Sequence, residues 1–210
     1  GVVITHGTDT LEETAFLLQL VLPAANLARK AVVLTCAMRP ASSQSPDGPQ
    51  NLLDAVALAL TPGAHGVVAV CAGVVHTALD VQKSHTYRLD AFSSGDAGPM
   101  GYMEEGKLRL LRNWPVVPDV YALNAIQNIA SDSAWPGVEI VMSYAGCSGA
   151  VVDALLAQGP GVQRLAGLIV AATGNGTIHL DLLAALRRAQ AQGVKVVRAT
   201  RCATGRVLAT

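Results

Sequence analysis

Charge is scarce in this sequence and evenly split: 14% of the 210 residues are Asp, Glu, Lys or Arg, with 15 acidic against 15 basic. Such a balance leaves no electrostatic footprint for nucleic acid or for an anionic membrane, so neither is expected as a partner. A small neutral or zwitterionic ligand fits better. Long apolar runs are also missing. The longest, Gly66 to Val75 and Leu165 to Ala172, fall well short of the roughly 20 residues of a bilayer-spanning helix, and a soluble chain is expected. No charged start with an apolar core and a small-residue cleavage site opens the chain. It begins Gly1-Val2-Val3-Ile4 without methionine, so the true amino terminus, and any signal peptide with it, is expected to lie upstream.

Closely spaced cysteines are lacking as well. Cys36, Cys71, Cys147 and Cys202 are widely and irregularly placed, and two of them end apolar runs that read as buried strands. They are expected to be small buried hydrophobes, which favours a reducing, cytoplasmic compartment over a periplasmic one, the alternative that a missing amino terminus leaves open. His6, His65, His76, His85 and His179 offer no short-interval pairs, so no metal site is expected.

What is present is hydrophobic, 51% of the chain, and rhythmic. Val2 to Thr5, Ala31 to Thr35 and Gly66 to Cys71 read as strands, and Leu11 to Val21 and Asn51 to Leu60 as helices. Strands of continuous Val, Ile and Ala have no wet side, which predicts a parallel sheet covered on both faces. Thr10 with Glu13 three residues on matches a capping box for the first helix, making Gly7 to Thr10 a strand-to-helix loop, where ligands of open α/β sheets sit. Tyr102–Met103 and Leu108 to Leu111 flank Glu105-Gly106 as a hairpin. Pro115, Pro118 and Pro136 mark a connection, after which the rhythm resumes: strand Val138 to Ser143, helix Ser148 to Gln158, strand Leu168 to Ala171, helix Ile178 to Gln192 ended by Gly193, and strand Val194 to Arg198. The expected architecture is α/β: part of a first domain over 1–112, a linker over 113–137 and part of a smaller α/β domain over 138–210.

The strongest chemical signal is His6-Gly7-Thr8-Asp9-Thr10, a hydroxyl and a carboxylate side by side at a strand's carboxyl end. Taken alone it is also an ordinary helix cap. Further blocks follow in order: Thr35-Cys36-Ala37-Met38-Arg39-Pro40, then Ser45-Pro46-Asp47-Gly48-Pro49 with Asn51, Asp80-Val81-Gln82-Lys83-Ser84-His85-Thr86, Leu89 to Phe92, Gly98 to Gly101, Gly174-Asn175-Gly176, and Arg198 to Gly205. In that order they resemble the bacterial-type L-asparaginase and glutaminase-asparaginase family, over nearly the whole chain. The resemblance implies a flavodoxin-like first domain, a Rossmann-like second one, and hydrolysis of L-asparagine to L-aspartate and ammonia without metal or cofactor. It also implies a homodimer or homotetramer.

Carried over by position, the resemblance makes Thr8 a catalytic hydroxyl, Asp9 its neighbour and the anchor of the substrate's ammonium, and Lys83 the basic member of the set. Ala37 would offer a backbone carbonyl to the substrate amide. Asn175 would reach the substrate across a dimer interface. The chemistry is coherent, since a carboxamide is a poor electrophile and needs an activated oxygen, a proton acceptor and donors for the oxyanion. Each residue has a plainer reading too: Lys83 as a solvated lysine, Asn175 as a turn residue, Cys147 beside a helix start as an inert thiol. Gln82 and Ser84 stand where threonine is common in the family. Gly174-Asn175-Gly176 has His179 where a dinucleotide fingerprint would place its third glycine.

The family's Thr-Gly-Gly-Thr-Ile-type loop, whose first threonine supplies the attacking oxygen, does not occur among these residues, so this chain alone is expected to be inactive. In secreted relatives a disulfide anchors the segment after the first helix, and Leu22 to Lys30 holds no cysteine. Rival readings are a glutaminase-asparaginase acting also on L-glutamine, an ammonia-releasing amidotransferase subunit, and a non-catalytic α/β ligand-binding module.

Overall fold

Side-chain alternation in the central strands decides the architecture. In a computed structural model that describes residues 1–115, 135–158 and 164–208, Val2–Thr5 (β1), Ala31–Thr35 (β2) and Gly66–Cys71 (β3) lie side by side and parallel, Thr5 opposite Thr35 and Thr35 opposite Val70. Successive residues point to opposite faces. Leu34, Val67, Ala69 and Cys71 therefore pack on one side with Leu11 and Ala15 of helix Leu11–Val21 (α1). Val33, Val68 and Val70 pack on the other with Ala55 and Leu58 of helix Gly48–Leu60 (α3). Each fully buried Val or Leu stabilises by roughly 1.5–3 kcal/mol, so a one-residue slip of register would exchange every contact on both faces. A short helix, Ala24–Leu27 (α2), adds Leu27 to the α1 side.

The parallel sheet read from the sequence is thus present in its first three strands, and an antiparallel half extends it. Val74–Thr77 (β4) turns back on β3 through Ala72 and Gly73, with φ of 51° and 75°. Two consecutive positive φ values make this the tight hairpin turn that suits twisted strands. Two more short strands, Gln82–Lys83 (β5) and Phe92–Ser93 (β6), pair among the described residues only with each other. The expected hairpin forms from Gly101–Glu104 (β7) and Lys107–Leu110 (β8), with Glu105 and Gly106 at φ 52° and 72°. The order of the main sheet is β1-β2-β3-β4-β7-β8.

A second unit is built on Gly137–Met142 (β9), Leu165–Ala172 (β10) and Lys195–Thr200 (β11), all parallel in the order β11-β10-β9. Helices Ala150–Leu156 (α4) and Leu180–Ala191 (α5) bring Val152, Leu182, Ala185, Leu186 and Ala189 onto Leu168, Val170 and Ala172. Gly193, at φ 87°, ends α5 in the left-handed conformation that glycine adopts without cost. Of the connection expected over 113–137, residues 116–134 lie outside the described residues.

Three expectations need correction. The capping box is not formed, for Thr10 makes no side-chain cap bond. Helix α3 starts at Gly48 rather than Asn51, because Pro49 in the first turn gives up no hydrogen bond there. Cys36, Cys71 and Cys147 are buried, whereas Cys202, in the turns after β11, is exposed.

Candidate active site

The site lies where β1 and β2 end, at the carboxyl edge of the parallel strands. His6 continues β1 by donating its amide to the Thr35 carbonyl at 2.9 Å. Its ring Nδ1 lies 2.8 Å from the Gly7 carbonyl and its Nε2 2.9 Å from Thr14 Oγ1. A carbonyl only accepts, so Nδ1 carries the proton, and in the neutral ring Nε2 takes the hydroxyl of Thr14. The loop between, Gly7 to Thr10, is tied at one end to β1 and at the other to the first turn of α1.

Lys83 arrives from more than 70 residues away. Its Nζ donates to Thr8 Oγ1 at 2.8 Å and to Asp9 Oδ1 at 2.5 Å, and Thr8 Oγ1 faces Asp9 Oδ1 at 3.4 Å. The lysine side chain is 18% exposed and that of Asp9 89%. This is a largely covered lysine rather than a solvated one. Asp9's carboxyl is held below the usual range, first by Lys83's hydrogen bond, then by its charge, then by the Thr8 hydroxyl. An open cleft of about 370 Å³ lies beside the set, lined by Asp9, Lys83, Ser84, His85 and Thr86.

The segment carrying Lys83 is anchored on both sides. Before it, Asp80 accepts the Thr77 hydroxyl at 2.8 Å and Arg112 Nη2 at 2.7 Å. After it, the amides of Ser84 and His85 both donate to the Ala91 carbonyl. Lys83 itself pairs with Phe92, whose ring enters the α1-side core. Its backbone amide donates to the carboxylate of Glu12.

Ala37 is exposed at the end of β2, in a loop fixed by two residues of α3's start. Asp47 accepts the amides of Met38 at 2.9 Å and Arg39 at 2.8 Å. Buried Asn51 donates to the Cys36 carbonyl at 2.9 Å and to Asp47 at 3.1 Å, and accepts the amide of Ala72 at 3.0 Å. Partial burial would raise the Asp47 carboxyl, but these donors prevail and hold it low. Next to this loop the Cys36 and Cys71 sulfurs lie 3.2 Å apart, and the Cys71 thiol lowers the pKa of Cys36 while its own rises.

Thr8, Asp9 and Lys83 are therefore brought together, with Ala37 on the neighbouring strand end of the same unit. Asn175 lies in the second unit, in a turn closed between Thr173 and Thr177, where its side-chain oxygen accepts the Leu208 amide at 2.8 Å. Cys147 points its thiol at the carbonyls of Met142 and Ser148, as a packed residue does. Sequence reasoning gave no role to Glu12, Asp47 or Asn51. Asp47 precedes Gly48-Pro49 as a helix cap would, yet it makes no cap bond and reaches back nine residues instead.

Comparison with known proteins follows the same division. Residues 1–116 match the family model described as asparaginase, N-terminal, and residues 137–210 that of the glutaminase/asparaginase C-terminal domain. L-asparaginase 2 of Escherichia coli (strain K12) is 35% identical over 207 residues, 98% of this chain and 56% of its own length. A glutaminase-asparaginase from Acinetobacter glutaminasificans is 39% identical over 211 residues, 99% of this chain and 60% of its length. The crystal structure of a probable cytoplasmic L-asparaginase from Campylobacter jejuni matches at 36% identity with a TM-score of 0.87, over 100% of this chain and 66% of that one. The chain thus spans little more than half the length of the curated relatives it matches.

Proposed function

The chain belongs to the asparaginase and glutaminase-asparaginase family, and from that premise we propose that the protein carrying it hydrolyses L-asparagine to L-aspartate and ammonia, using Thr8, Asp9 and Lys83. The observation that carries this reading is the double contact of Lys83 Nζ, 2.8 Å from the Thr8 hydroxyl oxygen and 2.5 Å from the Asp9 carboxylate.

In the proposed reaction the C–N bond of the side-chain amide breaks, a water oxygen ends on the acyl carbon, and the nitrogen leaves as ammonia. Lys83 is assigned as the basic member of the set, accepting the Thr8 proton as that hydroxyl acts, and Asp9 stabilises the ammonium that results. The same carboxylate holds the α-ammonium of the substrate, and the Ala37 carbonyl accepts from its amide. The first attack is assigned, on the family resemblance, to a threonine of the Thr-Gly-Gly-Thr-Ile-type loop, which is not among these 210 residues. Asn175 is assigned to the same pocket from a neighbouring copy in a homodimer or homotetramer. We take 1–112 and 138–210 as parts of the two domains and 113–137 as their link. Three buried free thiols support a cytoplasmic setting.

A relative 39% identical is named glutaminase-asparaginase, so the two amides are the decisive pair of substrates. Ammonia release from the full-length protein is expected with L-asparagine, at a higher kcat/KM than with L-glutamine, and the 210-residue chain alone is expected to release none. A higher kcat/KM for glutamine would move the reading to a glutaminase. Equal rates from the short chain and the full-length protein would remove the outside threonine from the mechanism.

A further inference from the structure

Building on that assignment of Lys83, we infer that Glu12 is a positioning residue for the reaction: its carboxylate holds the backbone of Lys83 at the height where Nζ meets Thr8 and Asp9. Three observations lead there. Lys83 reaches its partners through a flexible four-carbon stem, so the place of its head depends on where its Cα is held. The strand that carries it, β5, is two residues long and among the described residues pairs only with two-residue β6, with no ladder hydrogen bond there to the main sheet. The side chain that grips Lys83's amide is Glu12, half-buried, in the first turn of α1 and three residues beyond Asp9.

The first turn of α1 therefore holds both halves of the site. Thr14 fixes His6, where the Thr8–Asp9 loop begins, and Glu12 fixes the residue that must reach that loop. A carboxylate suits the task, because a charge-assisted acceptor binds an amide more strongly than a neutral one and negative charge is favoured at a helix amino terminus. Glu13, beside it and exposed, shares the second property and not the first contact, which makes it the natural control.

The test is asparagine kinetics on the full-length enzyme. Glu12→Ala and Glu12→Asp, the latter keeping the charge but one methylene too short, are each expected to lower kcat about 10- to 100-fold, the scale of a misplacement near 1 Å. KM should stay within about threefold, since substrate anchoring by Asp9 is untouched. Glu12→Gln, which keeps an acceptor at the same reach, should recover most of kcat, and Glu13→Ala should match the parent. Thermal midpoints of Glu12→Asp and Glu13→Ala are expected to agree, separating position from folding. Parent-like kcat in Glu12→Asp, or a Glu12→Gln as impaired as Glu12→Ala, would overturn the inference. Lys83→Met decides the premise: if that variant keeps turnover, the assignment of Lys83 falls, whereas an inactive Lys83→Met beside a parent-like Glu12→Asp sinks only the role of Glu12.

Discussion

At Asp9 exposure and ionisation point the same way. The side chain is open to solvent, where a substrate can meet it, and Lys83 keeps its carboxyl charged below the usual carboxylate range. A charged group in that place suits the α-ammonium of an amino acid. Asp9→Asn keeps shape and hydrogen bonding but removes the charge. It is expected to raise KM for L-asparagine about 10- to 100-fold, since hydrogen bonds to charged groups contribute roughly 1.5–3 kcal/mol. An analogue lacking the α-amino group should show a much smaller change. An unaltered KM for asparagine would take the anchoring role from Asp9. Thr8 and Asp9 were legible in the sequence because the pentapeptide places them together in one loop. Lys83 was legible only through its block, as nothing in linear spacing says that residues more than 70 apart will meet. Glu12 was not legible at all: an acidic residue in a first helical turn is already explained by the helix dipole, so its tertiary contact leaves no separate trace.

Among the elements, β4 shows best why pattern alone fell short. Val74 to Thr77 follows β3 after only Ala72 and Gly73, and alanine is a poor advertisement for a turn that needs φ of 51°. The strand was therefore absorbed into one apolar run. It carries a buried His76, whose Nδ1 lies 2.7 Å from Ser94 Oγ. Burial, aided by repulsion from Arg112 and opposed by Asp80, pushes its pKa down from 6.5 to about 4. An unfolded chain binds this proton below about pH 6.5, and the folded one only below about pH 4. The stabilising effect of the neutral ring is thus complete above 6.5 and lost as pH falls through that window, by roughly 3 kcal/mol at 1.36 kcal/mol for each unit. Urea titrations between pH 7 and 4 should show His76→Gln losing that much less stability than the parent over this range. Parallel curves would mean that His76 titrates as it does in the unfolded chain. Strands β1, β2 and β3 were read to the residue because continuous apolar sequence bounded by turn residues leaves little choice. The ends of α3, α4 and α5 moved by one to three residues, as helix boundaries set by caps and tertiary contacts do.

For the molecule as a whole, order along the chain carried more information than any one motif. Three of the blocks sit where the first sheet collects them: His6 to Thr10 after β1, Cys36 to Arg39 after β2, and Lys83 on the small ribbon beyond β4. The buried Asn51 then joins the second of these loops to Ala72 at the end of β3, tying the two strand ends together. The neighbouring Cys36 and Cys71 could be paired only once the register was known, because Thr35 faces Val70 and the next residues on each strand follow side by side. In the proposed reaction this convergence serves amide hydrolysis through the Thr8 hydroxyl. Its most direct measurement is ammonia release from L-asparagine by full-length Thr8→Val, with aspartate binding followed by calorimetry on the same preparation. Turnover is expected to fall about 100-fold or more, the usual contribution of a group acting in the transition state, with aspartate affinity largely kept. Turnover above about a tenth of the parent would contradict it.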